Sequence, residues 1–128
     1  MADPAAGKRI LLVEDDPNLS IQIRDFLTAK GYQVEVAMDG NEAVRKAREY
    51  LPQLIVLDAL LPKMSGFQVA RLLKFDEKSK GIPIVMLTVL RRPADQEKAK
   101  SVGVNLFLTK PFSEELLLKS IQQLMGGS

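Results

Sequence analysis

Four short apolar runs of the chain are each followed by a side chain that could take part in chemistry. An acidic triplet at 14–16 follows the first run, Asp58 and Thr88 follow later runs, and Lys110 follows the last. The carboxyl ends of the strands in a parallel sheet share one edge. If the runs are strands of such a sheet, the sequence brings acids, a hydroxyl and an ammonium group together at that edge.

The acids of this group need a cation. At an effective dielectric of about 20, two like charges about 4 Å apart repel each other by about 4 kcal/mol, so Glu14, Asp15 and Asp58 must be neutralised or protonated. One divalent cation and Lys110 together balance three carboxylates. The chain has no histidine and no cysteine, which leaves oxygen ligands and favours Mg²⁺, Mn²⁺ or Ca²⁺ over zinc. Mg²⁺ suits a site with few carboxylates because it keeps several waters.

A carboxylate beside such a cation is chemically competent as a phosphoryl acceptor. Asp58 is the candidate nucleophile, which would form an aspartyl-phosphate. Lys110 and the hydroxyl of Thr88 could hold the remaining phosphoryl oxygens. Asp15 is the first candidate metal ligand and Glu14 the second.

The composition excludes several classes of protein. The 128 residues suit one compact domain, and the absence of histidine and cysteine excludes Ser-His-Asp and Cys-His catalysis as well as disulfides. A net charge of +2 without a basic block gives no support for direct nucleic-acid binding by this domain. No apolar stretch is long enough for a membrane span and the N-terminus does not resemble a signal peptide, so we expect no membrane association and a cytoplasmic protein.

The apolar runs alternate with stretches of helical periodicity. The runs cover residues 10–13, 34–37, 54–57, 84–87 and 105–108, and the first, third and fourth have the composition of strands covered on both faces. The helical stretches carry apolar residues at the spacing of one helix face. These residues are Leu19, Ile23, Phe26 and Leu27; Ala43, Ala47 and Leu51; Val69, Leu72 and Leu73; and Leu117, Ile121, Leu124 and Met125. The fourth stretch, 94–102, is mostly polar.

Turn and cap residues punctuate this alternation. Asp16 before Pro17 is interpreted mainly as a helix cap, although it also lies in the acidic triplet. Gly31 closes the first helix, and the pair 39–40 (Asp-Gly) is a turn signal. Pro52 stops the second helix. Helices four and five begin at the pair 92–93 (Arg-Pro) and at 113–115 (Ser-Glu-Glu).

Five strand–helix pairs with short connections predict an α/β domain with a parallel sheet and helices on both faces. The dinucleotide-binding and the flavodoxin-like arrangements both fit such a pattern. Five units in one small domain favour the flavodoxin-like, doubly wound sheet of order 2-1-3-4-5, with the site at the switch between strands 1 and 3. We expect the domain at residues 9–125, with flexible tails at 1–8 and 126–128.

Four segments in this order resemble the receiver domain of bacterial two-component response regulators. The likeness runs from about residue 8 to residue 125, and the combination of the four segments is highly specific. The segments are Ile10-Leu11-Leu12-Val13-Glu14-Asp15-Asp16; Asp58-Ala59-Leu60-Leu61-Pro62 with Gly66; Pro83-Ile84-Val85-Met86-Leu87-Thr88; and Phe107-Leu108-Thr109-Lys110-Pro111-Phe112.

The resemblance implies a role for each matching residue. Asp58 would be the phosphoacceptor, and the acidic pair 14–15 would hold Mg²⁺ together with Asp58 and the backbone carbonyl of Leu60. Thr88 would be the switch hydroxyl, and Phe107 the switch aromatic that turns inward when Thr88 moves. Lys110 would contact the phosphoryl group, and its bond to the following proline is expected to be cis. Such a domain catalyses its own phosphorylation rather than acting as a conventional enzyme.

The resemblance also implies partners. The phosphoryl donor of the family is a phosphohistidine, and this chain has no histidine. The donor must therefore be another molecule: a sensor histidine kinase, a phosphotransfer protein or a small phosphodonor. Phosphorylation adds charge at one point, and Thr88 and Lys110 could transmit it to the surface of helix 4, strand 5 and helix 5. That surface would bind a downstream effector protein or domain, or a second copy in a homodimer.

Two apolar residues of the fifth helix bear on this surface. Leu116 and Leu118 lie beyond the predicted core stripe of that helix. They either cover the edge of the sheet or form a partner or dimer face.

Three positions bear on how fast the site would gain and lose a phosphoryl group. Val89 follows Thr88 where the family usually has a small residue, and its branched side chain could narrow access to Asp58. Leu60 and Leu90 stand at two positions that tune hydrolysis, and neither side chain can orient an attacking water. We therefore expect slow dephosphorylation.

Three other functions compete with this interpretation. An aspartyl-phosphate phosphatase typically has a second acid two residues after its nucleophile, where this chain has Leu60. A flavin-binding electron carrier of the same fold would have a Ser-, Thr- and Gly-rich loop after strand 1, where this chain is acidic. The third is a pseudo-receiver that acts as a protein-interaction module without phosphorylation, which Val89 favours.

Overall fold

The computed structural model of the protein describes residues 7–125 and consists of five strands that alternate with five helices. The strands are β1 (Arg9–Val13), β2 (Gln33–Ala37), β3 (Leu54–Asp58), β4 (Ile84–Thr88) and β5 (Leu106–Thr109). The helices are α1 (Pro17–Ala29), α2 (Gly40–Tyr50), α3 (Gly66–Phe75), α4 (Pro93–Ser101) and α5 (Glu114–Met125). The predicted tails, 1–8 and 126–128, lie mostly outside the described residues and stay predictions.

The sheet is parallel throughout and has the order β2-β1-β3-β4-β5, which confirms the predicted topology. The fifth strand begins one residue later than predicted. Asn105 precedes it, and the Asn105 side-chain oxygen accepts a hydrogen bond of 2.8 Å from the backbone N–H of Ile84. Asn105 therefore closes the start of the β4–β5 ladder instead of extending β5.

The sheet separates two apolar layers, because β1, β3 and β4 carry buried side chains on both faces. One layer packs the sheet against α2, α3 and α4 and includes Ala43, Phe67 and Ala99. The other packs it against α1 and α5 and includes Ile23 and Leu117. Because β1, β3 and β4 pair in parallel, their carboxyl ends form one edge between the two layers.

Most helix boundaries follow the predicted signals. The Asp16 carboxylate caps α1 by accepting from the backbone N–H groups of Asn18 (3.0 Å) and Leu19 (3.5 Å). The Asp-Gly pair at 39–40 is a helix start rather than a turn, because the Asp39 carboxylate accepts from the backbone N–H of Glu42 at 2.9 Å. Helix α4 begins at Pro93, as the Arg-Pro pair at 92–93 predicted, and ends at Ser101, one residue before the end of the predicted helical stretch.

Two residues assigned to the core face of a helix are exposed instead. Leu51 follows α2 in the left-handed conformation (φ 49°), which turns its side chain into solvent. Leu72 lies on the outer side of α3, whereas its neighbours Val69 and Leu73 are buried. Within residues 7–125, no helix has the length and apolar character that crossing a bilayer requires.

Candidate functional site

Three carboxylates meet at the carboxyl edge of the sheet. Glu14 and Asp15 follow the last residue of β1, and Asp58 is the last residue of β3. The two strands are paired, with Val13 opposite Leu57, so the three side chains project from adjacent positions. One carboxylate oxygen of each lies within 4.8 Å of the others. The structure thus brings together the acids that the sequence predicted to cluster.

Lys110 bridges two of these acids. Its Nζ lies 2.9 Å from Glu14 Oε1 and 2.9 Å from Asp58 Oδ2, although the three residues are far apart in sequence. The residue follows β5, and its backbone N–H donates to the carbonyl of Thr88 at 2.8 Å. Lys110 is therefore held in the site by hydrogen bonds from both its backbone and its side chain.

The pKa values of Glu14 and Lys110 are both raised, but for different reasons. The Glu14 side chain is buried, and this burial raises its pKa to about 7, against the lowering effect of the Lys110 hydrogen bond and with a further increase from the Asp58 charge. Burial lowers the pKa of Lys110, but hydrogen bonds to Asp58 and Glu14 outweigh this and raise it above the ordinary value. Lys110 is therefore a cation at neutral pH, whereas Glu14 is only partly deprotonated near pH 7.

The second oxygen of Asp58 is held by the chain itself. Asp58 Oδ1 accepts a hydrogen bond of 3.0 Å from the backbone N–H of Leu60. Gly66, the first residue of α3, lies so close that an added Cβ would collide with the Asp58 carbonyl oxygen and would be 2.8 Å from Ala59 Cα. This N–H donor of Leu60 was not predicted from the sequence, and the predicted role of the Leu60 carbonyl in metal binding stays a prediction.

The two predicted switch residues lie on the neighbouring strands. Thr88 is fully buried at the end of β4, and its hydroxyl oxygen accepts a hydrogen bond of 3.2 Å from the backbone N–H of Leu90. Phe107 is partly buried in β5 and packs against the apolar layer on the α4 side of the sheet. A cavity of about 190 Å³ lies between Phe107 and α4, lined in part by Ala99 and Val104.

Arg91 also contacts this edge of the sheet, and its contact was not predicted from the sequence. Its Nη2 donates a hydrogen bond of 2.6 Å to the carbonyl oxygen of Lys110. The contact joins the loop after Thr88 to the loop after β5. No local sequence signal could have found it, because an exposed arginine in a polar loop has the composition of any solvated surface residue.

The donor set fits a hard divalent cation. Glu14, Asp15 and Asp58 offer only oxygen atoms, and Asp15 is exposed, which leaves room for the waters that Mg²⁺ retains. Among the predicted roles, the cis bond between Lys110 and Pro111 is confirmed. The roles in metal binding, phosphorylation and switching stay predictions.

Fold and site together define a class of protein: a doubly wound α/β domain with an acidic, lysine-bridged cluster at the switch point of its sheet. The family profile described as the response regulator receiver domain matches residues 10–122. The chain belongs to this family.

Relatives of known name agree with this membership. The chain is 34% identical to Protein PilH of Pseudomonas aeruginosa over 93% of its own length and 98% of that protein. It is 33% identical to the polar-differentiation response regulator DivK of Brucella ovis, covering 94% of this chain and 98% of that one. It is 38% identical to RpaA of Synechocystis, a DNA-binding dual master transcriptional regulator, over 91% of this chain but only 48% of RpaA.

Solved structures show the same architecture. The chemotaxis protein CheY4 of Vibrio cholerae superposes with a TM-score of 0.88 at 34% identity, covering 93% of this chain and 99% of that one. The receiver domain of the sensor histidine kinase PA1611 of P. aeruginosa gives a TM-score of 0.88 at 35% identity over 94% and 99%. In that structure a magnesium ion is coordinated in the active site cleft.

Proposed function

We propose that this chain is the phosphoacceptor of a two-component signalling system and that Asp58 carries the phosphoryl group. The observation that supports this most is the contact between Asp58 and Lys110. A buried carboxylate, 2.9 Å from an ammonium group and oriented by the Leu60 N–H, is held in one position at the open edge of the sheet. A structural ion pair would not need the exposed acid Asp15 beside it.

The reaction transfers one phosphoryl group without a change of oxidation state. An oxygen of the Asp58 carboxylate attacks phosphorus, the bond from phosphorus to the donor nitrogen breaks, and its electron pair stays on that nitrogen. Glu14, Asp15 and Asp58 are the residues that would hold Mg²⁺, with the carbonyl of Leu60. When bound, Mg²⁺ offsets the charge on the transferring oxygens. Lys110 remains to pair with a phosphoryl oxygen.

The phosphorylated state would change the surface formed by α4, β5 and α5. The Thr88 hydroxyl would leave Leu90 N–H to bond a phosphoryl oxygen, and Phe107 would turn into the space vacated by Thr88. The cavity beside Phe107 supports such a repacking, because α4 is not tightly packed there. The changed surface would bind a downstream effector protein or domain.

A homodimer through the same surface is the second interaction that we propose. Leu116 of α5 is exposed, whereas Leu118 packs against the apolar layer beneath it. Of the two leucines that the sequence left open, Leu116 is therefore the one available to a partner. Self-association of the phosphorylated protein should be weakened by Leu116→Ser and not by Ile21→Ser, which removes an equally exposed side chain on α1.

The donor that we propose is a sensor histidine kinase or a phosphotransfer protein. The chain would act as a signalling domain rather than a turnover enzyme, promoting its own phosphorylation and a slow dephosphorylation. Leu60 is exposed and Leu90 packs partly buried against the apolar layer, and neither side chain has a polar group to orient an attacking water.

Phosphoryl uptake tests this function. The protein is incubated with acetyl phosphate and Mg²⁺ and its intact mass is measured, with Asp58→Asn as the matched control. One phosphoryl adduct on the wild type and none on Asp58→Asn is the expected result. A wild-type protein that takes up no phosphoryl group would instead support the interaction module that works without phosphorylation, in which Val89 closes the site.

A further inference from the structure

Helix α3 carries two large apolar side chains on its outer side. Leu72 is 41% exposed and Phe75, three residues later, is 77% exposed. Positions three apart are neighbours on a helix surface, so the two form one ridge, the Leu72–Phe75 ridge. Single exposed apolar residues are common, but an aromatic ring exposed to this extent beside a leucine on the same helix forms a patch.

The end of α3 that carries Phe75 is held firmly in place. Asp76, the residue after Phe75, forms an ion pair of 2.7 Å with Arg48 of α2. The Ser79 hydroxyl donates to the carbonyl of Leu73 at 2.7 Å, and Lys74 Nζ donates to the carbonyl of Ile82 at 2.8 Å. The Phe75 ring is therefore exposed on a fixed backbone and not at a fraying helix end. Presenting it to a partner costs little conformational entropy.

A groove runs along each side of the ridge. The groove between α2 and α3 has a volume of about 330 Å³ and the groove between α3 and the end of α4 about 560 Å³. The charged residues that line them are Arg45, Arg48, Glu49, Arg71 and Lys74. Arg45 is paired with Glu49 and Arg48 with Asp76, whereas Arg71 and Lys74 form no ion pair among the described residues.

We propose that the Leu72–Phe75 ridge and its two grooves form a docking surface for an acidic segment of a partner protein that carries aliphatic or aromatic side chains. The apolar side chains of the segment would pack on the ridge, and its carboxylates would face Arg71 and Lys74. A second copy of this chain is disfavoured, because an isologous contact would bring the cations of one copy against those of the other. A small ligand is disfavoured, because such sites enclose most of the ligand and Phe75 stands out from the surface.

The ridge ends at Phe75, the last residue of α3, whereas Asp58 lies against the first residue of that helix, so the proposed contact does not require the phosphoryl group. The probe is a fluorescent twelve-residue peptide in which Glu and Asp alternate with Leu and Phe, and the measurement is its anisotropy with the full chain. We expect binding that weakens about tenfold in Phe75→Ser. Arg71→Glu should weaken it similarly, and added salt should weaken it further.

Three controls make the result decisive. Leu116→Ser removes an exposed leucine elsewhere and should bind the peptide as the wild type does. Asp58→Asn should also bind normally, so a failure of the proposed phosphorylation leaves this test intact. A peptide with Lys in place of its acids should not bind. Equal binding by the wild type and Phe75→Ser would overturn the proposal, as would self-association of the wild type that Phe75→Ser abolishes without any peptide binding.

Discussion

One ammonium group bridges two carboxylates at the carboxyl edge of the sheet. Lys110 reaches Glu14 and Asp58 at 2.9 Å each, and Asp15 stays exposed beside them. Without a metal ion the site carries more acid than base, and burial, with a smaller contribution from the Asp58 charge, raises the pKa of Glu14. The site therefore relieves its excess charge by taking up a proton, or a divalent cation in its place.

The stability of the metal-free protein should fall as pH rises through this range. The folded protein keeps the proton of Glu14 up to about pH 7, whereas the unfolded chain releases it near the usual pKa of 4.5. The folded state then binds more protons than the unfolded state, so the free energy of unfolding decreases from about pH 4.5 to about pH 7 and levels off above that. Urea denaturation in EDTA at several pH values measures this. Glu14→Gln should lack the decrease, and parallel curves for the two proteins would contradict it.

Slow loss of the phosphoryl group is the second expectation at the residue scale. Leu60 is 51% exposed and has no group that could orient water toward a phosphoryl group on Asp58. Leu60→Gln should supply one and speed the decay about tenfold. Leu72→Gln, a matched change on the outer side of α3, should leave the decay unchanged. The decay is followed by intact mass, and a wild-type adduct that disappears within seconds would rule the expectation out.

Two elements are tied to the site by single contacts. Helix α3 begins at Gly66, which allows it to start directly against the backbone of Asp58 and Ala59. The loop between β4 and α4 is tied to the opposite loop by the bond from Arg91 to the Lys110 carbonyl. The first contact fixes the nucleophile, and the second restrains the loop that carries Thr88.

Gly66→Ala should destabilise the protein by about 1–3 kcal/mol, because its Cβ has no room beside Asp58 and forces the backbone to shift. Gly81→Ala is the matched control, since an added Cβ there meets nothing within 4 Å. Urea denaturation of both variants and the wild type gives the comparison. A Gly66→Ala protein as stable as Gly81→Ala would show that the close approach is not rigid.

Arg91→Ala should bind beryllofluoride, a mimic of the phosphoryl group, about two- to tenfold more tightly in the presence of Mg²⁺. The lost hydrogen bond is worth roughly 0.5–1.5 kcal/mol and holds the loop in the arrangement in which Thr88 bonds Leu90. Arg91→Lys can still reach the carbonyl and should behave as the wild type. Fluorine NMR measures the affinity, and weaker binding by Arg91→Ala would mean that the contact favours the active arrangement instead.

At the scale of elements, the strands and most helix ends could be predicted from the sequence, because local residue patterns determine them. The buried strands stand out because three of them are apolar on both faces, and Asp16, Gly31 and Pro93 mark helix ends through their own backbone preferences. The pattern erred at Leu51 and Leu72, where helical spacing alone assigned a core position. The left-handed conformation of Leu51 and the side of α3 that meets the sheet depend on tertiary packing, which local spacing does not contain.

At the scale of the whole molecule, the site is formed by contacts between residues that are far apart in the sequence. The order of the strands could be predicted, and with it the meeting of Glu14, Asp58 and Lys110, because parallel strands place their carboxyl ends together. Three features could not be predicted, because each depends on the exact course of a loop or a helix end. They are the hydrogen bond from the Leu60 N–H, the hydrogen bond from Arg91 and the exposure of Phe75.

We propose two separate binding surfaces on the whole molecule. The α4–β5–α5 face would respond to phosphorylation, and the Leu72–Phe75 ridge would stay constant. Helix α3 packs in the same apolar layer as α4 and Phe107, but Leu72 and Phe75 are exposed on its outer side. We therefore expect partners on the two surfaces to be bound at the same time.

Amide NMR of the protein with Mg²⁺ and beryllofluoride tests the phosphorylation switch most directly. The signals of Thr88 and Phe107 should move only when both reagents are present, and they should not move in Asp58→Asn. If both signals stay in place in the wild-type protein at saturating Mg²⁺ and beryllofluoride, Asp58 does not control this pocket and the proposed switch is wrong.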